Sequence, residues 1–539
     1  MQQIESYLKS KGYHFTPYQI ATFYTALQTK GFVILTGISG TGKTKLAQYF
    51  AQLLPQPKQI ALLGASSQPI KEQEFLVGEE STDYWTFPIR ADVASSLSTP
   101  FRVYLYHDRK IEYFCRVAEF RTQAGNKGFP SPWPEITSSE LVDKDHEEGK
   151  DNKKFKTWFR VTHKEKLEKP LRFSEIQALY GYKSVEAALR NALIPFADPL
   201  ETGSNSLFLS VRPDWRDGKG LLGYYNPLTR QYEWTPFLHF LLRAAQDYAQ
   251  NRATANAWFV ILDEMNLARV EYYFADFLSV LESGRDSQGW TNEPVRFVFP
   301  SDIEGEAPPK EIKLPPNLYI IGTVNVDETT HAFSPKVLDR AFTLELTDAD
   351  FLAYPAKQEA EKPSSNEEDR QKLLENFSHN HQFALVDKQK IAAYVQSNDV
   401  YRQQLQTLNT RLRQYDLHFG YRIFDEIMSF MISGEENQFF KDQGGNPTAF
   451  DAAVLMKVLP KFYGSRGKLE APLKAVLAWC INPELLDDKK IEDVVKNIEN
   501  DSGSNPFDEI VKLYRYPNTA KRAQRMLLSL YTTGFAAFG

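Results

Sequence analysis

The chain has 539 residues, of which 42% are hydrophobic and 24% charged, and a net charge of -6. That length calls for three or four domains, in the composition of a soluble globular protein, and the charge excludes a wholesale coat for nucleic acid while leaving room for a local basic face. No run approaches the roughly 18 apolar residues of a membrane span, and two cysteines, Cys115 and Cys480, exclude a disulfide framework or a four-cysteine zinc site. Met1-Gln2-Gln3-Ile4-Glu5 has no basic region followed by an apolar core, so the expected compartment is the reducing cytoplasm.

Residues 1–30 read as helical, with Ile4 and Leu8, then Ile20, Phe23, Tyr24 and Leu27 at helical intervals and Thr16-Pro17 as an N-cap followed by a first-turn proline. Phe32-Val33-Ile34-Leu35-Thr36 is almost wholly apolar, as a strand buried on both faces requires. It runs into Gly37-Ile38-Ser39-Gly40-Thr41-Gly42-Lys43-Thr44, which fits the phosphate-loop pattern G-x-x-x-x-G-K-[ST]. Leu46, Ala47, Phe50, Ala51 and Leu54 continue at helical spacing, completing strand, glycine loop and helix. Gly37, Gly40 and Gly42 let backbone N–H groups curl round a phosphate, Lys43 would reach the β- and γ-phosphates, and Thr44 would ligate Mg²⁺. This is a nucleotide site.

Residues 58–205 have a different texture. Tyr84-Trp85-Thr86-Phe87, the Phe101 to Tyr106 run and the Tyr113 to Val117 run are short, aromatic and β-prone. His107-Asp108-Arg109-Lys110 is a polar turn that makes the last two a hairpin. A charge-rich loop at 137–154 precedes Trp158-Phe159-Arg160-Val161 and a terminal helix after Pro170. Together they suggest a small barrel. Tyr84, Trp85 and Trp158 are candidates for stacking on an extruded base, with neighbouring Arg and Lys on phosphates. Most aromatics in such a barrel must instead be its core.

Leu207 to Val211 is the next core strand, followed by a third buried run, Trp258-Phe259-Val260-Ile261-Leu262, that ends in Asp263-Glu264. A strand ending in acidic residues is the Walker B arrangement: Asp263 would hold the Mg²⁺ shell and Glu264 would polarise the attacking water. Lys43 and Asp263 stand far further apart than one helix, strand and helix need, which makes 58–205 an insert of domain size. Leu318 to Gly322 leads to Asn325, a candidate sensor beside the γ-phosphate. A short helix from Ser334 then ends at Arg340, either a residue projecting into a neighbour's site or half of a salt bridge. Residues 351–384 read as a polar loop, and from 385 the chain is mostly helical.

Phosphate loop, Asp-Glu strand, Asn and Arg in this order resemble the AAA+ ring ATPases. More narrowly, Asp263-Glu264-Met265-Asn266 and Gly322-Thr323-Val324-Asn325-Val326-Asp327-Glu328 are similar to the McrB family, as are Phe419-Gly420-Tyr421-Arg422 and Leu459-Pro460-Lys461. Val324 replaces a Met and Glu328 an Asp of the family signature, which leaves GTP against ATP open. The insert resembles the EVE domain, a relative of PUA folds that holds a modified base.

The resemblance implies an α/β AAA+ core with a five-stranded parallel sheet (1–57 and 206–350), an inserted PUA/EVE-like barrel (58–205) and a helical lid and C-terminal region (385–539). It further implies Mg²⁺-dependent hydrolysis of GTP or ATP in a hexameric ring, Arg422 as a lid arginine or a structural ion pair, DNA with a modified base as ligand, and a separate McrC-like nuclease. No nuclease centre is visible, since the carboxylates and lysine of Pro213 to Lys219 fall in a core loop. A protein-remodelling AAA+ chaperone would share every core motif.

Overall fold

The computed structural model describes residues 1–65, 83–86, 93, 97, 99–107, 110–122, 132–133, 157–172, 193–301, 303, 307–325, 331–347, 366–383, 387–481, 483 and 514–538. Helices Gln2–Ser10 and Pro17–Lys30 open the chain. The second carries the expected cap: Thr16 and Gln19 exchange side-chain and backbone bonds, and Gly31 ends it at φ 71°. Strand β1 (Phe32–Gly37) follows, then the glycine loop and helix Lys43–Leu53.

The chain then builds a separate sheet from β2 (Lys58–Ala65), β3 (Asp83–Thr86), β4 (Phe101–His107), β5 (Lys110–Thr122), β6 (Thr157–Arg172) and β7 (Ile194–Thr202). It returns to the core through β8 (Ser206–Ser210), a hairpin of β9 (Tyr224–Asn226) and β10 (Gln231–Glu233), helix Pro236–Asn251, and β11 (Trp258–Asp263). A second short pair, β12 (Val295–Arg296) and β13 (Glu311–Ile312), precedes β14 (Leu318–Asn325) and β15 (Phe342–Glu345).

Five of these strands form an all-parallel sheet in the order β15-β1-β14-β11-β8. Its inner strands β1, β14 and β11 are apolar almost without alternation because both faces are covered, whereas the edge strand β8 stays partly exposed. Val33, Leu35, Phe259, Ile261, Tyr319 and Ile321 pack on one side with the N-terminal helices and the helical C-terminal region. Phe32, Ile34, Trp258, Val260, Leu318 and Ile320 pack on the other, against helix Pro236–Asn251. The C-terminal helices therefore share one continuous core with the sheet.

In the insert, the expected hairpin forms, with Phe101 opposite Val117 and His107 opposite Lys110. The order is β3-β6-β5-β4-β2-β7. Among the described residues β3 and β7 remain edges, so the expected barrel closure is not seen there. Aromatic, β-prone runs specify strands, whereas closure depends on tilt and stagger that no single strand encodes. Lys58 pairs with Thr202 and the Gly203 N–H donates to the Pro57 carbonyl at 2.7 Å, so the insert leaves and rejoins the core at one place.

The polar loop needs a correction. Residues 348–365 lie outside the described residues, but Glu367–Phe377 is a helix, capped by Asn366 and carrying three acidic residues in its first turn. Its Leu373, Leu374 and Phe377 enter the main core, a stripe that the surrounding charge conceals in the composition. No helix among the described residues is long and apolar enough to cross a membrane.

Candidate nucleotide site

Strands β1, β14 and β11 lie side by side, and their register sets Gly37 opposite Asn325 and Leu262 opposite Gly322. The three motifs therefore meet at the C-terminal edge of the sheet, where open α/β sheets hold ligands. Gly37, Gly40 and Gly42 have φ of 147°, 84° and 84°. At Gly37 a Cβ would stand 2.2 Å from the Leu346 carbonyl oxygen, so no other residue fits. At Gly42 it would meet the rings of Phe15 and Tyr13 at 3.1 and 3.2 Å, which places the segment ahead of Thr16 against the loop.

Lys43 is buried, and its ammonium donates to the carbonyls of Gly37 (2.9 Å) and Ile38 (2.6 Å). Burial lowers its pKa and Asp263 opposes that shift. A cation held by neutral carbonyls at the head of a helix exchanges readily for phosphate oxygens, because charge-assisted bonds are the stronger ones.

Asp263 is the hub. Its Oδ1 accepts from Thr44 Oγ1 at 2.7 Å and from Thr323 Oγ1 at 2.7 Å. A hydroxyl and a carboxylate are the hard, sparse ligand set that Mg²⁺ takes beside nucleotide phosphates. Among the described residues no group of three or more His, Cys, Asp or Glu side chains is placed to hold a metal, so such an ion would rely on phosphate oxygens and water for the rest.

Glu264 follows in the left-handed region, at φ 52° and ψ 48°. That conformation costs about 1–2 kcal/mol for a residue with a Cβ, and such strain concentrates at functional sites. Two hydrogen bonds hold it, from the Glu264 N–H to Thr323 Oγ1 (3.2 Å) and from Asn325 Nδ2 to Glu264 Oε1 (3.2 Å), and the next residue, Met265, is fully buried. Met265 needs Gly322, where a Cβ would stand 2.4 Å from its sulfur, and its carbonyl accepts from Tyr273 Oη at 2.9 Å. Asn266 Nδ2 donates to the Asn325 carbonyl at 3.2 Å. Sequence reasoning passed over Thr323, whose signal is its place two residues before Asn325, on the same face of one strand.

The two candidate arginines do not join this group within the chain. Arg340 is 8% exposed, and its guanidinium binds the Glu282 carboxylate and the Lys336 carbonyl. Arg422 donates to the other oxygen of Glu282 at 3.0 Å and pairs with Asp339 at 3.8 Å. One carboxylate thus holds both, and their partners are outside the phosphate loop. Of the two readings for each, the ion pair is the one seen inside a single chain.

In the insert, β3 carries Tyr84 and Trp85, with Trp85 opposite Phe159 and Thr86 opposite Trp158. The side chains of β3, and Val326-Asp327-Glu328, lie outside the described residues. Trp158 is 0% exposed, which fits packing in the insert and not an open stacking face. Lys219 forms an exposed ion pair with Asp217 at 3.2 Å, an ordinary surface contact.

A family described only as a domain of unknown function (DUF8727) matches residues 372–535, the helical C-terminal part. No curated protein matches the chain.

Proposed function

We propose that this chain is a Mg²⁺-dependent nucleoside triphosphate hydrolase of the AAA+ type, McrB-like, working as a ring with DNA and a separate McrC-like nuclease. The observation that carries this reading is the hydrogen-bonded line from Thr44 through Asp263 and Thr323 to Glu264 and Asn325, set across the mouth of the glycine loop. Lys43 exchanges its loop carbonyls for β- and γ-phosphate oxygens. Thr44 and Asp263 hold the ion, and Mg²⁺, when bound, neutralises charge on the phosphates. Glu264 takes the proton of the attacking water, and Asn325 fixes the direction of that carboxylate. Arg340 serves the neighbouring copy's site after leaving Glu282. GTP is the substrate on the family likeness, with ATP as its rival.

The insert selects DNA by a modified base, more readily a cytosine than an adenine on its EVE likeness. The adjoining ends of β2 and β7 support treating it as a unit that folds by itself. Hydrolysis and nucleotide binding by Lys43→Ala and Glu264→Gln test the enzyme reading. Lys43→Ala loses binding, and Glu264→Gln binds without turnover; normal turnover in Glu264→Gln removes it from the mechanism. Titration of residues 58–205 against matched modified and unmodified duplexes at two salt concentrations tests the reader. Equal affinity for both would dismiss it in favour of a protein-remodelling role.

A further inference from the structure

Lys457 ends helix Asn446–Lys457 with its side chain 0% exposed. Its ammonium donates to the Asp339 carbonyl at 3.2 Å and the Ala341 carbonyl at 2.7 Å, the residues on either side of Arg340. It lies 5.0 Å from the centre of the Phe342 ring and forms an ion pair with Glu426 at 2.6 Å. The other oxygen of Glu426 accepts from Lys30, the last residue of the helix that leads into β1. One turn beyond Lys457, Lys461 pairs with the Asp339 carboxylate at 2.6 Å. Three cations of the C-terminal region, Arg422, Lys457 and Lys461, therefore grip the residues on either side of Arg340.

Plain cohesion does not account for this arrangement. Burying two ammoniums round one carboxylate is a poor way to stabilise a fold, since apolar residues of similar volume often do as well or better. What an apolar residue cannot do is bind two specified carbonyls. Burial lowers the pKa of Lys457; Glu426 draws it back, and the charged form keeps three partners.

We propose that Lys457 is a positioning residue for Arg340: by holding the carbonyls that flank it, Lys457 sets where the guanidinium stands and ties that place to the C-terminal helices. Through Glu426 and Lys30 the same contacts reach the strand that carries the phosphate loop. A chain's own loop and the arginine it offers its neighbour are thereby linked in one piece. The inference rests on the reading that Arg340 acts in hydrolysis at a neighbouring copy's site.

The test uses full-length chains and steady-state hydrolysis. Lys457→Met leaves Lys30 and Glu426 as a balanced pair, so its interior holds no uncompensated charge. Its nucleotide affinity stays at the wild-type value while turnover falls by roughly tenfold or more, part of what an arginine finger contributes. Adding Glu264→Gln chains, which cannot hydrolyse but present an intact Arg340, restores turnover to the Lys457→Met sites, as it does for Arg340→Ala. A chain that is merely misfolded is not restored in this way.

Wild-type turnover in Arg340→Ala sinks the reading of Arg340 and this proposal with it. Slow Arg340→Ala beside wild-type Lys457→Met overturns the proposal alone, as does a slow Lys457→Met that mixing fails to restore. Should Lys457→Met not fold, Lys457→Gln, a neutral side chain one bond shorter that lacks the ammonium's reach to both carbonyls, takes its place. Wild-type turnover in that variant overturns the proposal.

Discussion

Thr323 offers the sharpest test of the proposed nucleotide site, because Thr323→Val removes two hydrogen bonds and almost no volume. The residue is 3% exposed, so its side chain has no water to fall back on. Its hydroxyl donates to the Asp263 carboxylate at 2.7 Å and accepts from the Glu264 N–H at 3.2 Å. A hydrogen bond to a charged group contributes about 1.5–3 kcal/mol, and one between neutral groups nearer 1 kcal/mol.

Which function suffers depends on what else holds Asp263. Thr44 is its other donor, but in the proposed Mg²⁺-bound state the ion would fix the Thr44 oxygen, so Thr323 is the donor whose place the protein alone sets. The larger loss therefore falls on the Mg²⁺-bound state. At 1.4 kcal/mol per decade, about 1.5–3 kcal/mol sets an upper limit of roughly ten- to hundredfold more Mg²⁺ for half-maximal hydrolysis, since the same bond is also lost from the Mg²⁺-free state. Turnover at saturating Mg²⁺ drops as well, since the Glu264 backbone loses its acceptor. The assay is a Mg²⁺ titration of hydrolysis at saturating nucleotide, with a thermal melt as the control for folding. A Thr323→Val chain with wild-type Mg²⁺ dependence would refute the placement of Thr323 in the metal site.

Gly322→Ala drives a Cβ into the Met265 sulfur. Met is flexible enough for the fold to survive at about 1–3 kcal/mol, while displaced Glu264 lowers turnover more than the melt predicts; equal losses in both would contradict this. Gly37→Ala places a methyl against the Leu346 carbonyl oxygen, and nucleotide binding is lost, as equilibrium titration checks. Trp158→Ala costs about 3–5 kcal/mol in the stability of the insert because the ring is fully buried, whereas Trp85→Ala abolishes preference for modified DNA and leaves hydrolysis intact.

Acid stability reports on Glu426. Burial acts to raise its carboxyl, the ammoniums of Lys30 and Lys457 outweigh burial, and the folded pKa lies below the ordinary 4.5. The unfolded chain then binds the extra proton first, so this contribution is complete above pH 4.5 and is lost as pH falls through the folded value. Glu426→Gln therefore shows a shallower loss of stability in acid melts, and an unchanged slope would contradict the assignment.

The parts of the site legible in the sequence are those that neighbours in the chain encode. Gly37 to Thr44 is a loop with its strand and helix attached, and Asp263-Glu264 ends an apolar run, so spacing and residue type suffice to find them. The size of the insert was legible for a similar reason, as excess length between two motifs that must meet. What spacing could not supply was contact through space. The return of Thr202 to Lys58, the absence of sheet closure among the described insert residues, and the packing of Leu373, Leu374 and Phe377 from an acidic stretch all depend on tertiary partners.

Thr323 carried only a faint signal, its place two residues before Asn325, because a Thr in a strand has no signature of its own. It matters only because the register of β14 on β11 brings it beside Asp263. The same holds for Glu282, which gathers Arg340 and Arg422 from distant helices, and for Lys457. A charged side chain has no preferred partner along the sequence. Packing alone decides which carboxylate or carbonyl it meets, and here packing set the two candidate arginines on one carboxylate rather than on the chain's own phosphate loop.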